Sequence, residues 1–361
     1  MTMIIKRDYY LQQLISSKSN NLIKIVTGIR RSGKSFLLFN LFHNHLIETG
    51  ISEDHIIEIA LDDRLNKNLR DPDVILQHIH ERIVDDKLYY IILDEVQMID
   101  EFTDVLNSLL HIRNADVYVT GSNSKFLSKD VVTEFRGRGD EIHLFPLSFA
   151  ELYNSIGGDK FELWKSYYTY GGLPGILELD SEKKKAAYLR SLHETVYLKD
   201  IIERSNLKNS EEFMELMRVM ASCIGSPCNP SKLENTFKSV KNETLDRKTI
   251  SKYLSYMEDA FLIEKSMRYD IKGRKYIGTL SKYYFQDIGL RNALLNFRQV
   301  EENHIMENVI YNELRLRGFC VDVGMVEART AKERKQLEVD FVANMADRRY
   351  YIQSAFAMPD D

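Results

Sequence analysis

Eight residues near the N-terminus have types and spacing that could bind phosphate. They run from Gly28 to Ser35, read GIRRSGKS, and match the pattern Gly, any four residues, Gly-Lys-Ser. The apolar run LIKIVT precedes them and the amphipathic run FLLFNLFHNHLIE follows, which predicts a strand before the loop and a helix after it. Backbone N–H groups of such a loop, together with a helix N-terminus, attract phosphate oxygens. The sequence therefore predicts a nucleotide phosphate site.

Within this loop the residue types suggest separate tasks. Lys34 would reach the β- and γ-phosphates, and the Ser35 hydroxyl would hold Mg²⁺. Arg30 and Arg31 could contact phosphate or a neighbouring subunit, and their role stays open. The predicted cofactor-binding residues of the loop are Gly28, Ile29, Arg30, Arg31, Ser32, Gly33, Lys34, Ser35 and Phe36.

A pair of carboxylates, Asp94 and Glu95, follows a second apolar run in YYIILDEVQ. A carboxylate at the end of a buried strand beside the phosphate loop can anchor Mg²⁺. The next carboxylate can polarise an attacking water. We predict Asp94 as a metal residue and Glu95 as a catalytic residue, a pair that favours hydrolysis over phosphate transfer.

Polar residues follow two more predicted strands. Ser122 or Asn123, after VYVTG, could lie between the γ-phosphate and the water, or could form an ordinary turn. Arg136 and Arg138 in TEFRGRG could act on the γ-phosphate of a neighbouring subunit, or could be solvated loop residues. We favour Arg138 as the catalytic arginine, with Arg136 as its alternative.

Short apolar runs alternate with longer amphipathic segments over the first 150 residues, which predicts an α/β domain with a parallel sheet. From about residue 149 helical patterns dominate, interrupted by GGLPG at 171–175. A third zone reads as three helices and two strands, and the last sixty residues as one helix and three strands. The predicted strands of the first zone are 22–27, 56–61, 89–93, 117–120 and 141–145.

Composition limits the class of protein. The chain has 361 residues, 44% of them hydrophobic and 29% charged, which indicates two or three globular domains. We expect no membrane segment, because no apolar run approaches the roughly 18 residues that span a bilayer. Three scattered cysteines argue against a disulfide framework and favour a cytoplasmic location. Since the net charge is −5, any nucleic-acid contact needs a local basic patch.

The motifs GIRRSGKS, ILDEVQ, VYVTGSNS and FRGRG, followed by YGGLPGIL and KYYFQDIGLRNALLNFR, resemble the prokaryotic AAA-type P-loop ATPases. The resemblance covers nearly the whole chain. It implies a five-stranded parallel sheet in the order 5-1-4-3-2, then a helical lid, a winged helix and a shortened restriction-endonuclease-like α/β domain. We place these parts at residues 1–150, 151–212, 213–299 and 300–361.

A basic segment coincides with the predicted winged helix. Residues 231–282 carry 12 Lys and Arg against 7 Asp and Glu. In a winged helix, the recognition helix and the wing could meet duplex DNA, although a solvated basic face is the alternative. The possible DNA contacts are Arg247, Lys248, Lys252, Lys272, Arg274 and Lys275.

The nuclease-like resemblance implies a set of metal-binding carboxylates in the last domain. Glu307 and Asp340 match the expected helix and strand positions. Gln353 stands where a Glu would lie and Ala355 where a Lys would lie, so we expect a nuclease remnant without cleavage activity. The end of the chain soon after the third strand indicates either a truncated domain or a sheet face that is exposed or covered by a partner.

The leading hypothesis is thus an ATPase with ATP and Mg²⁺ as cofactors, acting as a homo-oligomer and moving its C-terminal domains. The alternative is a nucleotide-gated switch that binds DNA or a protein partner with little turnover. ATP is favoured over GTP because no guanine-reading Asn-Lys-x-Asp stands in the expected place.

Overall fold

The computed structural model divides the chain into two compact units, residues 1–144 and 145–361. The predicted first boundary, at 150, lies six residues later. The structure describes residues 5–121, 138–205, 207, 209–241, 245–300, 302–329 and 334–355.

The first unit is built on a five-stranded parallel sheet. Its order, β2-β3-β4-β1-β5, confirms the predicted order read from the other edge. Every residue of β1 and β3 is buried, because helices cover such sheets on both faces. The strands are β1 (Ile23–Thr27), β2 (Ile56–Ala60), β3 (Tyr89–Asp94), β4 (Ala115–Thr120) and β5 (Gly139–His143).

In the described part of the first unit, four α-helical segments accompany this sheet, besides short 3-10 turns. The second continues directly from the phosphate loop and contains a wider π-helical turn at Leu37–Phe42. Asp71 caps the third through the backbone N–H groups of Asp73 and Val74, and Pro72 opens it. The helices are α1 (Asp8–Ser16), α2 (Lys34–Phe36, Leu37–Phe42 and His43–Glu48), α3 (Pro72–Arg82) and α4 (Phe102–Leu109).

The second unit begins with helices and ends with a sheet. Its helices are α5 (Phe149–Ile156), α6 (Lys160–Tyr170), α7 (Glu182–Leu192, His193–Leu198 and Lys199–Ser205), α8 (Ser210–Ser222), α9 (Pro230–Thr236 and Phe237–Lys241), α10 (Arg247–Asp259), α11 (Ile288–Leu294) and α12 (Glu302–Leu316). Its strands are β6 (Ile263–Asp270), β7 (Lys275–Phe285), β8 (Cys320–Arg329), β9 (Arg334–Met345) and β10 (Arg348–Ile352).

The sheet of this unit has the order β10-β9-β8-β6-β7. Helices α8, α9 and α10 followed by the hairpin β6–β7 have the element order of a winged helix, which stays a prediction. The hairpin does not stand alone, however: β6 pairs in parallel with β8, with Arg268 opposite Val323 and Asp270 opposite Met325. Strands from both sides of the predicted boundary at residue 299 therefore share one sheet.

Candidate functional site

The phosphate loop joins the end of β1 to the start of α2. Gly28 has a φ of +137°, and a Cβ there would lie 2.2 Å from the Leu144 carbonyl oxygen, so no other residue fits without displacing β5's continuation. Gly33, at a φ of +99°, turns the loop into α2. The residues that shape this loop are thus set by backbone geometry.

Lys34 lies inside the loop. Its side chain is 5% exposed, and its Nζ donates to the carbonyl oxygens of Gly28, at 2.9 Å, and Ile29, at 3.1 Å. The ammonium group therefore lies at the centre of the predicted phosphate cradle.

The other loop residues divide by burial. Ile29 and Ser32 are buried and anchor the loop, whereas Arg31, Ser35 and Phe36 are exposed. Arg30 is half-buried. Arg31 has a φ of +66°, an unusual backbone conformation for a side chain of its size.

Arg7 is a buried residue that the sequence did not indicate. Its guanidinium donates to the Ser32 carbonyl oxygen at 3.2 Å and lies over the Tyr10 ring. The segment before α1 thereby supports the phosphate loop through this hydrogen bond.

The predicted metal residues are in direct contact. Ser35 Oγ donates to Asp94 Oδ2 at 2.7 Å, and Thr120 Oγ1 donates to Asp94 Oδ1. Burial raises the pKa of Asp94, and the hydroxyl donors of Thr120 and Ser35 oppose the rise. A buried carboxylate beside a hydroxyl is a set of hard oxygen donors, which fits Mg²⁺ completed by phosphate oxygens and water.

Glu95 follows at the strand end in a left-handed conformation, with a φ of +53°. Its backbone N–H donates to Thr120 Oγ1 at 2.9 Å. Thr120 thus holds both acidic residues at once, by donating to Asp94 and accepting from Glu95. The sequence patterns did not indicate this threonine, although its place at the end of β4 was a signal.

Three predicted residues, Ser122, Asn123 and Arg136, lie outside the described residues. Arg138 is exposed immediately before β5, and its carbonyl oxygen accepts the backbone N–H of Ile23 at 2.9 Å. Its backbone is therefore fixed to β1 while its side chain faces outward.

Comparison with known proteins places the first part of the chain in a known family. A family model described as "AAA domain" matches residues 20–153, and one described as a domain of unknown function matches residues 161–301. An uncharacterized protein of Haemophilus influenzae is 34% identical over 99% of this chain and 88% of its own length. One of Methanocaldococcus jannaschii is 30% identical over 94% of this chain and 75% of its own length. The chain belongs to the AAA family.

Among solved structures, the AAA protein is similar to three others at low identity. The Aeropyrum pernix ORC1 protein in complex with DNA is 11% identical, with a TM-score of 0.36, covering 81% of this chain and 93% of that one. Cdc6p from Pyrobaculum aerophilum is 13% identical, with a TM-score of 0.35, over 86% and 97%. The Saccharomyces cerevisiae Hsp104–casein complex is 11% identical, with a TM-score of 0.39, over 77% and 58%.

The basic residues predicted to meet DNA in this AAA protein lie on α10 and on the β6–β7 turn. Arg247 donates to Glu234 Oε2 at 2.6 Å, and so part of its charge is neutralised. Lys248 is exposed, and Lys252 lies over the Tyr256 ring. Arg247 and Lys252 each have a partner within the protein. These three residues therefore offer DNA less positive charge than the count of basic residues in 231–282 implies.

At the hairpin turn, Asp270 Oδ1 accepts the backbone N–H groups of Lys272 and Gly273. Lys272 Nζ donates to the Glu327 carbonyl oxygen at 3.2 Å. Arg274 and Lys275 are exposed. The turn is therefore ordered by Asp270 and presents at least two cationic side chains to solvent.

The predicted nuclease remnant is brought together around a lysine from β7. Lys282 Nζ lies 2.8 Å from Glu307 Oε1, 2.7 Å from Glu338 Oε1 and 3.9 Å from Asp340 Oδ1. Its side chain is only 2% exposed. The sequence did not indicate this lysine, which comes from β7 and not from the position of Ala355.

The carboxylates of this cluster have further partners. Tyr284 donates to Glu307 Oε1 at 2.7 Å, and Gln353 Nε2 and the backbone N–H of Ser354 both donate to Asp340 Oδ2 at 2.7 Å. Over the described part of the chain, no group of three or more His, Cys, Asp or Glu is arranged to hold a metal ion. The same described part contains no helix of the length and apolarity that a bilayer crossing needs.

A cavity of about 550 Å³ lies within the second unit. Its lining is largely apolar and includes Trp164, Tyr167, Phe319 and Tyr350. None of the predicted site residues that the structure describes lines it.

Proposed function

We propose that this AAA protein binds ATP with Mg²⁺ and hydrolyses it. The observation that carries the proposal is the contact between Ser35 and Asp94 at 2.7 Å, beside Lys34 and Glu95. Four residue types that a P-loop ATPase needs thus meet at one edge of one sheet. The match to the AAA domain family supports the same conclusion.

Each residue has a task in this reaction. The backbone N–H groups of the loop and the Lys34 ammonium would bind the β- and γ-phosphates, and Ser35 and Asp94 would hold Mg²⁺, which neutralises charge on the phosphate oxygens. Lys34 would exchange its contacts with the Gly28 and Ile29 carbonyls for contacts with phosphate. A water attacks the γ-phosphorus, the bond to the bridging oxygen of ADP breaks, and Glu95 accepts the proton of the water.

The direct test measures phosphate release and nucleotide binding by purified variants. We expect E95Q to bind ATP but to lose at least about 100-fold in kcat, since it removes the proton acceptor. We expect K34A to lose binding itself. Turnover retained in E95Q would contradict the role of Glu95, and full affinity in K34A would contradict the phosphate site.

We further propose that duplex DNA contacts the hairpin turn and α10. Exposed Lys248, Arg274 and Lys275 support this, because phosphate contacts supply most of non-specific DNA affinity. The combined variant K272A/R274A/K275A is expected to weaken duplex binding, and wild-type binding should fall steeply with salt. The matched control is K183A/K184A/K185A on α7, which removes the same charge elsewhere.

The ATPase assay with and without duplex distinguishes the two functional classes. Turnover that rises with DNA and is lost in E95Q supports a DNA-coupled ATPase. Slow turnover that DNA does not change favours a nucleotide-gated switch for a protein partner.

We infer that the cluster around Lys282 does not cleave phosphodiesters. The ammonium already contacts Glu307 and Glu338, and Asp340 Oδ2 already accepts two hydrogen bonds. The part of the second unit that contains this cluster would then serve as a structural module that the ATPase cycle moves.

A further inference from the structure

The turn after β3 holds the backbone around Glu95 in place, and a neighbouring side chain contacts its carboxylate. Val96 and Ile99 are buried in the core of the first unit. The backbone N–H of Met98 donates to the Glu95 carbonyl at 2.9 Å, and that of Ile99 to the Val96 carbonyl at 3.0 Å. With Thr120 holding the Glu95 N–H, the backbone of this turn has little freedom.

Gln97 lies within this turn, and its side chain reaches back to Glu95. Its Nε2 donates a hydrogen bond to Glu95 Oε2. A carboxylate that accepts a hydrogen bond on one oxygen has fewer orientations available to it. A carboxylate held in this way can face a substrate in a defined direction.

The carbonyl oxygen of the Gln97 side chain does not stabilise the turn. Its Oε1 is buried and accepts no hydrogen bond from the residues that the structure describes. A buried carbonyl oxygen without a donor is unfavourable, so an apolar side chain of equal length would suit a purely structural role better. The amide is therefore explained by its contact with Glu95 rather than by stability.

We propose that Gln97 is a positioning residue that orients the Glu95 carboxylate toward the attacking water. The inference rests on the proposed ATPase function and deepens it. Gln97 acts through Glu95 and need not touch the nucleotide. Its loss should consequently affect the rate of the chemical step and leave nucleotide affinity unchanged.

The test compares Q97M with wild type in steady-state ATP hydrolysis. Methionine keeps the length of the side chain and removes the N–H donor. We expect kcat to fall about 10-fold or more, because small misplacements of a reacting group cost that much, while KM for ATP and the Kd of a fluorescent ATP analogue stay within about twofold. Q77M is the matched control, since Gln77 donates to Glu81 at 2.8 Å on the exposed face of α3.

A double-mutant cycle with E95Q separates positioning from general damage. If Gln97 acts through Glu95, E95Q/Q97M should be no slower than E95Q alone. Additive losses, or a Q97M enzyme with wild-type or higher kcat, would overturn the proposal. Should Q97M not fold, Q97E removes the same donor in the same shape and is expected to show the same loss.

The two levels of inference fail differently. If wild type does not turn over ATP, or E95Q is fully active, the proposed function fails. If wild type is active, E95Q is inactive and Q97M is unchanged, the positioning role of Gln97 alone is wrong.

Discussion

Lys282 supplies the positive charge within the acidic cluster of Glu307, Glu338 and Asp340. It brings one positive charge into contact with Glu307 and Glu338. Burial lowers the pKa of Lys282, but the two carboxylates outweigh it, and the pKa lies above its usual value. The lysine therefore remains charged and balances part of the acidic cluster.

Replacing Lys282 should destabilise the second unit. We expect K282M to lose about 3–5 kcal/mol in the free energy of unfolding, because it leaves buried carboxylates without their cation. Trp164 is the only tryptophan of the chain and lies in this unit, so its fluorescence during urea unfolding reports the loss.

The matched control for this measurement is K265M, which replaces an exposed lysine on neighbouring β6. Its effect should stay within about 0.5 kcal/mol, as is usual for surface positions. A K282M loss below about 1 kcal/mol would show that the ammonium is not required by the cluster.

The GGLPG loop (residues 171–175) lies against the N-terminal end of α11. Asp287 caps α11 through the Leu290 N–H at 2.9 Å and also accepts the Gly172 N–H at 2.8 Å. Gly171, at a φ of +77°, leaves room for this carboxylate, since a Cβ there would lie 2.4 Å from Asp287 Oδ1. The glycines thus allow the loop to approach the helix end closely.

Asp287 makes the stability of the second unit dependent on pH. Burial raises the pKa of Asp287 to about 6, although backbone N–H donors oppose the rise. Between the ordinary aspartate pKa of about 4 and this value, the native state binds more protons than the unfolded state. The free energy of unfolding should therefore fall, by up to about 3 kcal/mol, as pH rises from about 4 to about 6.

Urea unfolding followed by Trp164 fluorescence across pH 4–7 tests this contribution. The difference between wild type and D287N should carry the slope, because asparagine does not titrate. D180N, at an exposed aspartate paired with Lys184, is the control. A wild-type curve parallel to that of D287N would contradict the assignment.

The whole molecule carries a net charge of −5, yet residues 231–282 of the second unit carry 12 Lys and Arg against 7 Asp and Glu. The proposed ATPase site and the proposed DNA-binding surface lie in different compact units. Any coupling between them would have to pass from one unit to the other.

An oligomer is required if Arg138 is the catalytic arginine of a neighbouring subunit. If Arg138 acts on a neighbour's nucleotide, R138A should bind ATP normally but lose turnover. Mixing R138A with K34A should then restore activity, since an intact loop of one subunit meets an intact arginine of the other. Two inactive variants that stay inactive when mixed, although light scattering shows that they co-assemble, would contradict action between subunits.

Local patterns in the sequence predicted the strands and the phosphate loop of the first unit. The strand runs, the phosphate loop and the Asp94–Glu95 pair are set by neighbours in the chain, because burial periodicity and glycine geometry act over a few residues. The sheet order, which the family resemblance implied, was confirmed.

Contacts between distant residues were decided only by the tertiary structure. Thr120 on β4 donates a hydrogen bond to Asp94 on the neighbouring strand β3. Lys282 on β7 contacts Glu338 on β9, and both strands belong to the same sheet. Even Gln97, only two residues from Glu95, needed the left-handed turn that returns its amide to the carboxylate. Spacing along a chain determines which residues share a strand or a helix face, whereas the packing of elements determines which side chains from different elements touch.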